Sequence, residues 1–101
     1  MKTLPADIAH YKSTPEFTRE STPAALQRNH TTAAGVWGRI VVQEGSLRYV
    51  IEAPGIEEHL REEHLLVPGV AGIVEPQVPH HVVIDGPVRF CVEFHRAIQS
   101  A

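Results

Sequence analysis

The clearest pattern of hydrophobic and polar positions is a pair of apolar segments separated by a tight turn. Residues Val36–Gln43 are rich in β-branched side chains, and after Gly45 the apolar residues Leu47, Tyr49 and Ile51 recur at every second position. A period of two is typical of a β-strand with one buried face. Because glycine closes tight turns between strands, the pattern predicts a β-hairpin.

A second hairpin is predicted near the end of the sequence. Residues His81–Ile84 are followed by an Asp-Gly dipeptide and then by the apolar segment Val88–His95. Asp-Gly is a strong signal for a two-residue hairpin turn. Each hairpin is entered near a histidine, His30 in the first and His80 in the second. We therefore expect a small all-β barrel that brings these histidines into one interior site.

The other segments are interpreted as short strands and loops. Residues 1–25 contain three prolines, which favour an extended N-terminal arm with Phe17 as its apolar anchor. Ala25–His30 is predicted to be a short strand, residues 57–67 two short strands with a bend, and Val70–Val74 another strand. Strands at this short and even spacing indicate a sandwich or barrel rather than βαβ units.

Length and composition fit one globular domain over residues 1–101, with the barrel at residues 26–95. Hydrophobic residues make up 43% of the chain, charged residues 21%, and the formal net charge is −3, which indicates neither disorder nor a basic surface for nucleic acid. The single cysteine excludes an internal disulfide, and no apolar run is long enough for a membrane span. The N-terminal segment lacks the apolar centre of a signal peptide. We expect a cytosolic protein without a nucleic-acid or membrane partner.

Histidine is the unusual feature of the composition. The chain has seven histidines against nine lysines and arginines, and histidine is the commonest metal ligand in proteins. His10, His59 and His64 lie among charged or turn residues, where we expect them to be solvated. The other four, His30, His80, His81 and His95, are considered position by position.

The facing of the last predicted strand determines whether a carboxylate joins them. Glu93 lies in the middle of an otherwise apolar strand, where an ionised carboxylate must be paired, hydrogen-bonded or bound to a cation. If Glu93 points into the barrel, Phe90 and Phe94 point outward and need a cover, either the arm or a second subunit, so we expect a homodimer. The opposite facing, with both phenylalanines inside and Glu93 outside, fits strand physics equally well.

Three segments carry a resemblance to a known family. They read YKSTPEFT, TPAALQRNHTTAAGVWGRIVVQEGSLRY and, near the end, PQVPHHV followed by VRFCVEFHR. Nearly end to end, the chain resembles the small cupin-like domain of TehB-like tellurite-resistance proteins and of stand-alone YeaR-like proteins. The resemblance implies a double-stranded β-helix, which is a jelly-roll barrel, with a divalent transition metal, commonly zinc, in its lumen.

The same resemblance implies which residues would hold that metal. In the wider cupins, the first motif supplies two histidines, spaced HxH, and a glutamate. In this chain Thr32 stands where the second histidine would be, and Gly38 stands where the glutamate would be. The resemblance leaves His30 and His80 as ligands, with Glu93 as the replacement carboxylate. Three protein ligands plus water form the open arrangement of a reactive metal. Zinc is the expected ion, although Fe, Ni and Mn also suit these ligands.

Other residues could join or replace these ligands. His81 competes with His80, because neighbours on a strand face opposite ways, and we prefer His80 because it follows the proline loop directly and matches the family position. His95 shares a strand face with Glu93 and is either a further ligand or, in our preferred interpretation, a surface residue. Cys91 is expected to be a buried small hydrophobe.

The function implied is binding or transformation of a small oxyanion such as tellurite, at a metal ion, in a stress response. The alternatives are a non-catalytic module that senses a ligand or metal, and a dimerising cupin with a structural role. The sequence contains no nucleophile triad, phosphate-binding loop or dinucleotide fingerprint, so it assigns no catalytic residue. The expected partner is a small molecule or oxyanion.

Overall fold

A computed structural model describes residues 1–52 and 61–98, which form β-strands and one short 3-10 helix at Ala24–Gln27. The strands are β1 (Ile8–Ser13), β2 (Phe17–Thr18), β3 (Trp37–Gly45), β4 (Leu47–Ile51), β5 (Glu62–Leu66), β6 (Gly72–Val74), β7 (His80–Val83) and β8 (Val88–Ala97). The predicted all-β class is therefore confirmed for these residues. No helix among these residues has the length and apolar character needed to cross a membrane.

The strands form two antiparallel sheets. The first sheet has the order β1-β8-β3-β6, with β2 also pairing with β8, and the second has the order β5-β4-β7. In the central pair, β3 and β8, Ile40 lies opposite Val92 and Arg39 lies opposite Glu93. Because side chains alternate along a strand, Ile40 and Val92 face the second sheet, whereas Arg39 and Glu93 face away from it.

The hydrophobic core lies between the two sheets. Its buried side chains are Ile40, Val42, Val74, Val88 and Phe90 from the first sheet and Leu47, Tyr49, Leu66 and Val82 from the second. The Tyr49 hydroxyl donates a hydrogen bond of 2.9 Å to the carbonyl of Ile73, which ties the second sheet to the first. Burial raises the pKa of Tyr49 well above its usual range, so its hydroxyl stays a donor.

Both predicted hairpins are wrong, although their strands and turns are present. Strand β3 belongs to the first sheet and β4 to the second, and the same change of sheet occurs between β7 and β8. The turns are therefore corners at which the chain crosses from one sheet to the other. Turn residues report that the chain reverses or bends, but they do not report which strands exchange backbone hydrogen bonds.

The two corners meet at Gly45. Gly45 pairs with Val88 across the first sheet and has a φ of +77°, in the left-handed region that favours glycine. A Cβ atom at this position would collide with the backbone carbonyl oxygen of Pro87. Glycine is required here because the backbones of two corners that are remote in sequence touch each other.

The N-terminal arm is extended but is also part of the first sheet. Strands β1 and β2 both pair with β8, and the Phe17 ring lies 5.6 Å from the ring of Phe90. The predicted strand at Ala25–His30 is wrong: Ala24–Gln27 form a 3-10 helix in which the Leu26 amide donates to the Pro23 carbonyl. Proline fixes φ near −60°, which suits the start of such a turn. Within the predicted strand, only His30 forms a β-bridge, and its partner is His80.

Replacing Gly45 with alanine should destabilise the protein more than the same change at another left-handed glycine. We expect Gly45→Ala to lower the free energy of unfolding by about 3 kcal/mol, from backbone strain and the collision with Pro87. Gly35→Ala is the matched control: its φ is +76°, but its Cβ would meet no atom, so strain alone should cost about 1 kcal/mol. Urea denaturation measures both. Equal losses would contradict the corner contact.

Candidate functional site

A cavity of about 310 Å³ lies between the sheets, beside the core. The surface of the cavity is mostly apolar, although seven of the seventeen described lining residues have polar side chains. The lining consists of Tyr11, Lys12, Thr14, Leu26, His30, Thr31, Thr32, Ala33, Val36, Gly38, Ile40, Val74, His80, Val82, Phe90, Val92 and Phe94. This composition is typical of a small-molecule site, in which apolar walls supply contact area and a few polar groups fix orientation.

Two histidines from distant parts of the chain meet in this cavity. His30 and His80 exchange two backbone hydrogen bonds of 3.0 Å, and their ring centres lie 4.2 Å apart. His80 retains only 4% of its accessible surface. Its ring is nearly perpendicular to the ring of Tyr49, and the two ring centres lie 5.9 Å apart. The prediction that His30 and His80 converge in the interior agrees with this geometry, and His80 rather than His81 faces inward.

Hydrogen bonds to the backbone fix the tautomer of both rings. The Nδ1 atom of His30 lies 3.0 Å from the carbonyl oxygen of Arg28, and the Nδ1 atom of His80 lies 2.8 Å from that of Val78. A carbonyl oxygen can only accept, so each Nδ1 carries the proton. In the neutral ring, Nε2 is then an acceptor with a free lone pair.

Burial keeps the His80 ring neutral. Desolvation disfavours the imidazolium and lowers the pKa of His80 to about 4, with smaller contributions in the same direction from His30 and His81. The hydrogen bond to the Val78 carbonyl opposes this shift but does not cancel it. At neutral pH, His80 therefore offers an acceptor rather than a positive charge.

Glu93 does not join the two histidines. Its neighbours Val92 and Phe94 line the cavity, so Glu93 lies on the opposite face of β8, where its carboxylate is 3.2 Å from the Arg39 guanidinium. The predicted inward facing of Glu93 is wrong. The register of β8 against β3 places the bulky apolar positions of the strand inside, where they bury more surface than Glu93 could.

The same register removes the reason for predicting a homodimer. That prediction required Phe90 and Phe94 to lie on the outside of the barrel. Phe90 is instead fully buried, and Phe94 lines the cavity. These two aromatic rings therefore need no cover from a second subunit.

The other candidate histidines lie away from the cavity. The Nδ1 atom of His81 is 2.7 Å from the side-chain oxygen of Asn29. His95 lies 3.6 Å from Glu93 on the outer face of the first sheet, and its Nε2 is buried without a hydrogen-bond partner among the described residues. His10 is exposed.

The remaining predictions concern His64, His59 and Cys91. His64 is half-buried and contacts Glu62 at 3.1 Å, while His59 lies outside the described residues. Cys91 is a free thiol of intermediate exposure on the outer face of β8, so the prediction of a buried cysteine is wrong.

Sequence reasoning missed the contribution of the N-terminal arm to the cavity. Tyr11, Lys12 and Thr14 line it, and Thr14 is fixed to β8 because its amide donates to the Val92 carbonyl while its hydroxyl accepts from the Val92 amide. The Lys12 ammonium lies 5.5 Å above the Phe94 ring. The predicted apolar anchor at Phe17 was the signal that could have revealed this contribution. Because Phe17 pairs with β8, the residues that precede it also lie along β8.

The structure predicts that the pH dependence of stability carries a signature of His80. Its folded pKa of about 4 lies below the unfolded value of 6.5, so as pH falls from 6.5 to 4 the unfolded chain binds a proton that the folded chain does not. Stability present above pH 6.5 is therefore lost over this window, by roughly 3 kcal/mol. Urea denaturation measures the free energy of unfolding at pH 7 and at pH 4. The decrease between the two should be larger in the wild type than in His80→Gln by this amount.

A second variant controls for the polarity of the residue that replaces His80. His80→Leu differs from His80→Gln in polarity but also lacks the titrating group, so both should show the same reduced pH dependence. If the wild type and both variants lose equal stability between pH 7 and pH 4, the neutral buried imidazole is contradicted.

We also predict that Glu93 contributes little to stability or to the cavity. Glu93→Gln should change the free energy of unfolding by about 1 kcal/mol or less, because a half-exposed ion pair with Arg39 is worth little in water. Thermal and urea denaturation measure the effect. A loss of several kcal/mol would mean that the carboxylate has an interior role.

Comparison with known proteins identifies relatives along most of the chain. The profile of the TehB-like domain matches residues 12–92. A protein of Haemophilus influenzae (strain Rd), named probable S-adenosyl-L-methionine-dependent methyltransferase TehB, is 35% identical over 79 residues, which are 75% of this chain and 26% of that protein. The protein of the same name from strain 10810 is 32% identical over 79 residues, with the same shares covered. The chain thus spans about a quarter of the length of the curated relatives it matches.

Solved structures share the fold. A crystal structure of TehB from Haemophilus influenzae superimposes with a TM-score of 0.79 and 26% identity, covering 91% of this chain and 32% of that chain. A crystal structure of a protein from Escherichia coli K12 superimposes with a TM-score of 0.84 and 22% identity, covering 98% of this chain and 100% of that chain.

The predicted divalent metal cofactor is wrong. No group of three or more His, Cys, Asp or Glu side chains within residues 1–52 and 61–98 is placed to hold an ion. His30 and His80 converge, but the predicted third ligand, Glu93, is on the other side of its sheet. The cofactor in the names of the curated relatives is S-adenosyl-L-methionine rather than zinc or another metal.

Proposed function

The chain belongs to the TehB-like domain family, and from that membership we propose that it is a small-ligand-binding module whose site is the cavity between its two sheets. The observation that carries this proposal is the pair of histidines in an otherwise largely apolar cavity of about 310 Å³. Cavities of about this size, with apolar walls and few polar groups, are the usual sites for small organic molecules.

We also propose that the two sheets form a cupin-like double-stranded β-helix. Two features support this interpretation. The chain crosses between the sheets at both the β3–β4 and the β7–β8 corners, and the β-bridge between His30 and His80 joins the segment before β3 to the first residue of β7. The cavity would then correspond to the lumen of the barrel.

The chemistry of the lining favours binding over turnover. None of the described residues that line the cavity is Asp, Glu or Cys, and both imidazole Nδ1 atoms are held by backbone carbonyls rather than by carboxylates. A histidine that acts as general base is normally oriented by a group that stabilises its positive charge. Burial of His80 instead opposes that charge. We therefore propose a non-catalytic ligand-binding role.

A place in tellurite resistance follows from the family, but the cavity suits a free oxyanion poorly. An anion entering apolar surroundings needs donors or positive charge to replace its water. At pH 7 His80 presents an acceptor, and Lys12 is the only lysine or arginine among the described residues of the lining. The proposed occupant is accordingly an organic molecule, and tellurite is one arm of the test.

Filling the cavity should abolish ligand binding while a matched change outside it should not. Val92→Phe adds a ring inside the cavity, whereas Val41→Phe makes the same change on the outer face of the adjacent strand, opposite Cys91. The probes are a panel of neutral one- and two-ring aromatic alcohols and amides, with sodium tellurite tested separately. A probe that binds the folded state raises the melting temperature.

We expect some organic probes to stabilise the wild type and Val41→Phe in a saturable way but not Val92→Phe. Stabilisation by tellurite alone would contradict the organic occupant. Stabilisation that persists in Val92→Phe would place the binding site elsewhere.

A further inference from the structure

Two neighbouring histidine rings, His30 and His80, line the cavity. Each Nδ1 donates its proton to a backbone carbonyl, so in the neutral form of either ring Nε2 keeps a lone pair. Neither Nε2 has a hydrogen-bond partner among the described residues. Unlike the Nε2 of His95, neither is sealed inside the protein. With ring centres 4.2 Å apart, the two acceptors serve the same part of the cavity.

We infer that the cavity selects a neutral molecule with a flat apolar body and two adjacent O–H or N–H donors, such as an aromatic ortho-diol. This inference rests on the proposed ligand-binding function and names the chemical class of the ligand. One donor would bind each Nε2 atom, and the body would lie against the apolar wall formed by Ile40, Val82 and Phe90.

Other classes of ligand fit less well. A wholly apolar molecule would displace water from two acceptors without replacing its hydrogen bonds, which is costly in an apolar site. An anion would bring negative charge towards two lone pairs. Lys12, the one lysine of the described lining, already lies over the ring of Phe94. A ligand with paired donors satisfies both acceptors and still uses the apolar wall.

Three probes of matched ring size test the inference at pH 7: 2,3-dihydroxynaphthalene with two donors, naphthalene with none, and 2-naphthoate with an anionic group. Titrations followed by probe fluorescence are performed in EDTA, so that no contaminating metal can bridge a diol to the histidines. We expect the diol to bind about tenfold or more tightly than naphthalene, since two hydrogen bonds are gained. The diol should also bind more tightly than naphthoate.

Variants assign the preference to the two rings. His30→Leu and His80→Leu each remove one acceptor at similar volume, and each should reduce the advantage of the diol over naphthalene several-fold. His81→Leu is the control, because His81 is next to His80 on β7 and its side chain is bonded to Asn29 outside the cavity. It should leave the order of the probes unchanged.

A measurement on the unmodified protein covers the case in which the buried variant fails to fold. In protein labelled with ¹⁵N-histidine, the Nε2 resonances of His30 and His80 should move when the diol is added, and that of His80 should start at the position of an unprotonated nitrogen. The His81 resonances should not move. Diol binding without a shift of these two resonances would overturn the inference.

The outcomes also separate this inference from the proposed function. If naphthalene or naphthoate binds as tightly as the diol, and binding is lost in Val92→Phe, the cavity is a ligand site but the donor-bearing class is wrong. If none of the three probes binds, the ligand class is refuted and the proposed cavity function loses its support as well.

Discussion

The backbone ladder between β3 and β8 fixes which side chains of the first sheet face the core. Its register places Ile40 with Val92 and Val42 with Phe90 on the inner face, and Arg39 with Glu93 on the outer face. A slip of one residue would exchange the two faces of a strand, exposing Phe90 and burying Glu93. One ladder of backbone hydrogen bonds therefore sets both the apolar walls of the cavity and the outward position of Glu93.

The second sheet completes the site by positioning His80. Strand β7 begins at His80, which pairs with Ile51 of β4 and also bridges to His30 through two backbone hydrogen bonds. Burying an imidazole is unfavourable unless its polar atoms are satisfied. The Val78 carbonyl satisfies Nδ1, and Nε2 opens on the cavity. The result is a buried ring with one atom left for a ligand.

The fold occurs in chains of different length. It accounts for about a third of the Haemophilus influenzae TehB chain, whereas the Escherichia coli structure is covered over its whole length. In this chain the core and cavity draw on both sheets and on the N-terminal arm, since Phe17 packs on Phe90 and Thr14 is bonded to Val92. The N-terminal arm is thus held against β8 both by apolar packing and by hydrogen bonds.

The amino-acid sequence alone predicted the all-β class, the position of most strands and the sharp bends at Gly45 and at the Asp-Gly dipeptide, because these follow from local periodicity and backbone preferences. It also singled out His30 and His80. It did not determine that the bends are corners between two sheets, since a turn signal carries no information about remote partners.

The facing of β8 and the composition of the site depend on contacts that form only when remote segments pack together. Alternation along Val88–Ala97 defines two faces, one with Phe90 and one with Glu93, but not which face is inside. That choice depends on pairing with β3, more than forty residues away, and on the arm that lies along the other edge of β8. The cavity therefore contains Lys12 and Thr14 and excludes Glu93, because packing between distant segments, rather than local pattern, selects the face that is buried.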